Sequence, residues 1–259
     1  MLEKILGMDR IDKLRVIHII EADLNLLLGI LFGRRLTNHA EKHNCLGDIQ
    51  WGARKGKQCI DVVIMKQLTY EIARMTRTDI TTFDNDAKSC YDRIVMSYAL
   101  QRCQQLGMPV SVCKMFGEYL ENARYHIKTQ LGVSDGHYTS SEETPLHGPG
   151  QGMKASPAMW TFVSTAAMQI LEEDNDGLQV CNPDRTRWAE RPMDGFVDDT
   201  TAWANQFIEE LAHDSHNDFT SETAYSMLKD LVNKTRLLAQ SWEELLWSTG
   251  GKLELPKCF

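Results

Sequence analysis

Apolar positions recur at helical spacing over Glu21–Leu36, Ile60–Met75, Arg93–Leu106 and Ala224–Leu245, so each is predicted to be an amphipathic helix. Two more helices are marked by their starts: Pro109 opens one running to Asn122, and Ser156-Pro157, read as N-cap and first turn, opens one running to Asp174. Alternating or β-branched stretches predict strands at Leu14–Ile20, Asp79–Asp86, Tyr125–Leu131 and Lys252–Phe259. Gly107 and the Gly250-Gly251 pair stop the helices that precede them. Between the last two predicted helices, Gly195-Phe196 and Thr200-Thr201-Ala202-Trp203 read as two strands joined by a tight turn, with Asp198 and Asp199 at its tip. A hairpin at the centre, in place of a crossover, favours an α+β fold: an antiparallel sheet with helices packed on one face.

Composition narrows the picture only a little. The 259 residues carry a formal charge of −8, which argues against a chain built solely to grip phosphate backbones. The charge is uneven, with cations gathered early, at Lys13, Arg15, Arg34, Arg35, Arg54, Lys55 and Lys57, and acids concentrated near residues 172–244. The seven cysteines form no Cys-x-x-Cys pair and follow no secretory signal, so reduced thiols in an intracellular setting (cytoplasm or nucleus) are expected. The longest apolar run, Leu26–Phe32, is broken by Gly29 and is too short to span a bilayer, so no membrane role is expected.

Three stretches carry candidate chemistry. Adjacent carboxylates at a turn repel each other unless a cation lies between them, so Asp198-Asp199 either binds a hard metal or is a solvated loop; taken alone, the loop is the simpler reading. Asp86 ends a predicted strand five residues before Tyr91, and on its own reads as a turn or cap aspartate. Gly148-Pro149-Gly150-Gln151-Gly152, just ahead of the Ser156 helix, lets a phosphate or sugar approach backbone at a helix start, yet matches no standard phosphate-loop fingerprint. His39, His43 and Cys45 lack a fourth ligand for zinc, and solvent-exposed helix histidines are the simpler reading.

Taken in order, the segments gain specificity. An aspartate with a downstream aromatic, then Gly-x-Gly-Gln-Gly-x-x-x-Ser-Pro, then Phe-Val-Asp-Asp resembles the palm motifs A, B and C of reverse transcriptases. Lys13-Leu14-Arg15 with the apolar run after it is similar to a fingers strand of that family, Gln50–Lys57 to its Gln-x-Gly-Phe-Arg-x-Gly-Arg block, and Gly250–Lys257 to motif D. The resemblance leans toward retrotransposon and group II intron enzymes. No equivalent of the thumb is seen, nor of a ribonuclease H, endonuclease or integrase segment.

The resemblance implies the fingers and palm of a right-hand polymerase: residues 1–78 as fingers, 79–94 as palm with motif A, 95–150 as the fingers and palm connection, and 151–259 as palm with motifs B, C and D. It implies an RNA-directed DNA polymerase, adding deoxynucleotides to a primer 3′-hydroxyl on an RNA template, from a mobile retroelement in which further domains follow in a longer polyprotein. The alternative is a catalytically silent remnant that binds RNA or protein. Asp86, Asp198 and Asp199 would hold two Mg²⁺ ions, with Mn²⁺ as a substitute, and Lys257 would donate a proton to pyrophosphate or else be a solvated strand residue. Lys13 and Arg15 would clamp the triphosphate, Tyr91 would sterically gate the sugar or else anchor the following helix, and Gln151 and Gly152 would line the sugar. Arg54, Lys55 and Lys57 would contact the template, or form a plain surface loop.

Overall fold

The predicted helices and central strands form, whereas of the strand predicted at Leu14–Ile20 only Leu14–Arg15 pairs, and Lys252–Phe259 forms no strand. The computed structural model describes residues 2–3, 14–143, 147–175, 177–182, 186–205 and 221–259. In chain order the strands are β1 (Leu2–Glu3), β2 (Leu14–Arg15), β3 (Ile80–Asp86), β4 (Lys128–Thr129), β5 (Gly132–Val133), β6 (Leu178–Cys181), β7 (Trp188–Arg191), β8 (Met193–Phe196) and β9 (Asp199–Asn205). The α-helices are α1 (Ala22–Leu28), α2 (Thr37–Lys42), α3 (Cys59–Thr76), α4 (Cys90–Arg93), α5 (Met96–Gln105), α6 (Val110–Asn122), α7 (Ser156–Asp174) and α8 (Ser221–Ser248). Among the described residues no helix is long and apolar enough to cross a membrane.

The chain divides into two compact units, Met1–Leu46 with Ser89–Val163, and Gly47–Lys88 with Ser164–Phe259. In the first, α1 continues through a π-helical turn, Gly29–Leu36, into α2, so the predicted helix runs six residues past Leu36. Glu21 caps its start by accepting from the Leu24 N–H at 2.7 Å. The core gathers Leu28, Phe32, Ala99, Cys103, Phe116 and Met159, with the Phe32 and Phe116 rings 5.1 Å apart. The strand expected over Tyr125–Leu131 shrinks to β4, paired with β5, plus an isolated bridge from Tyr125 to Tyr138. Ser156 is not the expected N-cap acceptor: its hydroxyl donates to the Gly150 carbonyl at 2.6 Å and ties the glycine loop to the helix start.

The second unit is organised on a three-stranded antiparallel sheet in the order β3-β9-β8. Alternation sorts its side chains onto two faces. On one face Thr81 and Asn85 meet α8, through a hydroxyl bond from Thr81 to Thr235 and a 3.0 Å bond from Trp242 Nε1 to Asn85 Oδ1. Leu231, Leu238, Trp242 and Leu246 form the buried stripe of α8, whereas Ala224 and Leu228, in the first part of the predicted amphipathic helix, are exposed. The opposite face carries Asp84, Asp86, Asp199, Thr201 and Trp203, and α3 reaches it: Tyr70 packs on the Trp203 ring at 5.4 Å and Lys66 pairs with Asp84 at 3.2 Å. The expectation of helices on one face only is therefore corrected, because Trp203 is buried on the second face and Tyr70 of α3 packs against it there.

Both sheet edges are covered, which protects them from pairing with other chains. The Gln50 loop adds to β8, with Trp51 N–H donating to Gly195 O at 2.7 Å and Gly195 N–H to Ile49 O at 3.0 Å. The C-terminal segment lines β3, where Asp84 and Phe259 exchange backbone bonds of 2.8 and 2.9 Å. It is not the predicted strand: Pro256 lacks an N–H for a ladder, and Leu255–Lys257 form a 3₁₀ turn.

Candidate active site

Asp86 is the last residue of β3 and Asp199 the first of β9, and the two are cross-strand partners in the register. Asp198 lies beside them in the two-residue turn between β8 and β9, so all three carboxylates collect at one end of one sheet. Val197, the other turn residue, has φ +61°, an uncommon left-handed conformation for a β-branched side chain. What holds it there is Gln50, which is fully buried. The Gln50 amide donates to the Val197 carbonyl at 3.1 Å and to Ser164 Oγ at 3.1 Å, while its oxygen accepts from the N–H groups of Val197 at 2.9 Å and Gly52 at 2.8 Å. Position 52 must be glycine, since a Cβ there would sit 2.3 Å from the Val197 nitrogen. From the other side, the Asp198 carbonyl accepts from Ala87 N–H at 3.0 Å.

The electrostatics are those of crowded carboxylates. Burial pushes the Asp198 carboxyl above its ordinary range, and the nearby charges of Asp199 and Asp86 push the same way. Asp199 is raised by burial first and then by Asp86, with Lys257 and Lys66 opposing. Lys257 is the resident counter-charge: its ammonium contacts Asp86 Oδ2, and that hydrogen bond raises its own pKa. The 3₁₀ turn aims it there, anchored by Glu254 N–H donating to the Asp86 carbonyl at 2.9 Å. A cavity of about 560 Å³ opens on this face, walled by Lys66, Asp84, Asp86, Phe196, Asp199 and Lys257; Asp198 is not among its wall residues.

Oxygen donors of this kind suit a hard divalent cation, and such a cation relieves the repulsion that adds to burial in raising Asp198 and Asp199. Among the described residues, however, no three His, Cys, Asp or Glu side chains already surround a common metal position. The donor set fits in kind, with the Lys257 ammonium standing against Asp86.

The basic loop divides in two. Arg54 is buried, and its guanidinium donates to the carbonyls of Gly47 and, at 3.0 Å, Gln50; it braces the loop from within. Lys55 is exposed, while Lys57 pairs with Asp48 at 3.2 Å and lies over the Trp51 ring at 4.6 Å.

The remaining candidates belong to the first unit. Lys13 lies outside the described residues, and Arg15 is described only as backbone of β2. Tyr91 is half-buried, with its carbonyl so close to Gly148 that a Cβ there would approach it to 1.9 Å. Gln151 accepts from His18 N–H at 2.6 Å, and Gly152, at φ +106°, sits where a Cβ would meet the His18 carbonyl at 2.4 Å. Asn25 fastens the same loop, accepting from Lys154 N–H at 2.8 Å and donating to the Gly152 carbonyl at 3.2 Å. No positioning role for Gln50, Asn25 or His18 is read from the sequence. A lone amide or imidazole has no periodicity to betray it, and the one available signal was Gln50 opening a Gln-x-Gly pattern.

No curated protein matches the chain. Among solved structures, telomerase from Candida tropicalis in complex with a fragment of telomeric RNA aligns at TM-score 0.47 and 12% identity, over 89% of this chain and 33% of that one. Telomerase from Candida albicans in a similar complex aligns at 0.43 and 12%, over 88% and 33%. The chain thus spans about a third of the length of these proteins. The family model for reverse transcriptase (RNA-dependent DNA polymerase) matches residues 9–245, and the chain belongs to that family.

Proposed function

We propose that this chain is the fingers and palm of an RNA-directed DNA polymerase of a mobile retroelement, extending a primer 3′-hydroxyl with deoxynucleotides on an RNA template. The observation that carries the reading is the register pair Asp86 and Asp199 with Asp198 in the adjoining turn, three carboxylates from two distant segments at one sheet end. On this reading residues 1–78 are fingers, 79–94 and 151–259 palm, and 95–150 the connection.

Asp86 and Asp198 would hold two Mg²⁺ ions with Asp199 in support; when bound, the ions acidify the primer hydroxyl and neutralise the triphosphate. The work of the chain itself is positioning. Gln50 and Gly52 hold the turn so that Asp198 stays directed to the sheet end, and Lys257, already protonated, is placed to give a proton to the departing pyrophosphate. In the first unit, Gln151 and Gly152 would present backbone to the sugar, Tyr91 would exclude a 2′-hydroxyl, and Lys13 and Arg15 would take the phosphates. Of the basic loop, Lys55 and Lys57 are the template contacts, and Arg54 supports them from inside. The test is primer extension on an RNA template with Mg²⁺, comparing deoxy- and ribonucleotides. The reading requires deoxynucleotide addition; ribonucleotide addition would make this an RNA polymerase, and binding of the template without extension by the full-length protein would make it a silent remnant.

A further inference from the structure

A second cavity in the Gly47–Lys88 and Ser164–Phe259 unit plays no part in the polymerase reading. It has a volume of about 370 Å³, within the range of ligand-binding sites, and is floored by Met65, Leu68 and Ile72 of α3 against Leu178 and Val180 of β6 and Ala189 of β7. Asp48, Glu172 and Glu190, all exposed to solvent, line it and make its rim acidic. Burial and the neighbouring charges of Asp48, Glu173 and Glu190 raise the Glu172 carboxyl, so these carboxylates share a field with too little positive charge. Among the described residues that line it, the cation Arg191 is already engaged. Arg191 lies 2.6 Å from the Asp194 carboxylate and donates to Thr69 Oγ1 at 2.8 Å and to the Met65 carbonyl at 3.2 Å, while Lys57 is held by Asp48.

The apolar surface does not end at the cavity. Ile64, Leu68, Ile72 and Met75 recur on one side of α3 and all are substantially exposed, Met75 at 79%. At 1.5 Å per residue that stripe is roughly 16 Å long, more than a small ligand needs and suited to a length of polypeptide. An apolar floor with an acidic rim selects an apolar group bordered by positive charge.

We propose that this cavity seats an apolar anchor side chain of a polypeptide partner, with lysine or arginine beside the anchor facing Asp48, Glu172 and Glu190. Fluorescence anisotropy with labelled synthetic peptides tests it, using the full chain and three probes: Trp-Leu flanked by lysines, Trp-Leu flanked by glutamates, and Ser-Ser flanked by lysines. The first should bind about tenfold more tightly than either of the others, the scale of a fully engaged apolar anchor or charge pair. Glu172→Gln with Glu190→Gln should erase the preference for lysine over glutamate flanks. Leu68→Ser, at a half-exposed position, should weaken the Trp-Leu peptides and leave the Ser-Ser peptide unchanged, with thermal melting confirming that both variants remain folded. Equal binding of the lysine and glutamate peptides, equal binding of the Ser-Ser peptide, or indifference to Leu68→Ser would overturn the proposal. So would binding of tryptamine without any peptide binding, which would mark a small-amine pocket.

Discussion

Gln50→Ala removes the amide that holds the Val197 turn, and the consequence can be worked from its bonds. Four hydrogen bonds disappear, two to Val197 and one each to Gly52 and Ser164, all in a region where Gln50 itself has no solvent exposure. At about 1 kcal/mol net per bond, offset in part by water entering the vacated space, the expected loss is about 3 kcal/mol. For a chain of this size that corresponds to a fall in melting temperature of roughly 6–12 °C. Gln50→Met separates hydrogen bonding from packing, because it keeps the length of the side chain and none of its polar bonds. Thermal melting followed by circular dichroism, with amide exchange at Val197 as the local readout, makes the measurement. Both variants should melt lower and exchange faster at Val197. If Gln50→Met matched wild type, the site would need only volume, and if Gln50→Ala also matched it, the turn would be held by something other than this amide.

Other outcomes follow from the same geometry. Asp198→Asn should abolish primer extension while leaving the fold intact, judged by an unchanged circular dichroism spectrum. Tyr91→Ala should admit ribonucleotides; unchanged sugar selectivity in competition assays would remove Tyr91 from the gate. Asp198 and Asp199 bind protons more tightly folded than unfolded, so between the ordinary carboxylate range and their raised pKa values the stability of the fold should decline as pH rises. Asp199→Asn should flatten that decline in melting curves across pH, and Mg²⁺ or Mn²⁺ added above the window should raise the melting temperature of wild type more than of the variant.

The sequence carried the elements whose signals are local. The β-branched run into Asp86, the tight turn at Asp198 and the glycine stops at Gly107 and Gly250 each depend on a few neighbouring residues, and each forms within a residue or two of expectation. The resemblance to reverse transcriptases rested on motif order, and family membership bears it out. What escaped was set by tertiary context. Lys252–Phe259 alternates as a strand does, but Pro256 denies it a ladder and it turns instead, which is how Lys257 comes to Asp86. Arg54 reads as one more surface cation until its guanidinium is found bonded to two carbonyls beneath its own loop. The stripe of α8 begins at Leu231 and not at Ala224, because periodicity marks which side of a helix is apolar and says nothing of how much of its length finds a partner.

The central claim is that Asp86, Asp198 and Asp199 form one divalent-cation site, and Mn²⁺ binding followed by electron paramagnetic resonance tests it most directly. Wild type should bind Mn²⁺ with spectra of an oxygen-ligated ion displaced by Mg²⁺, and Asp86→Asn and Asp198→Asn should each lose that signal. Mn²⁺ bound equally by wild type and both variants would put the ion elsewhere and leave these carboxylates without the role assigned to them.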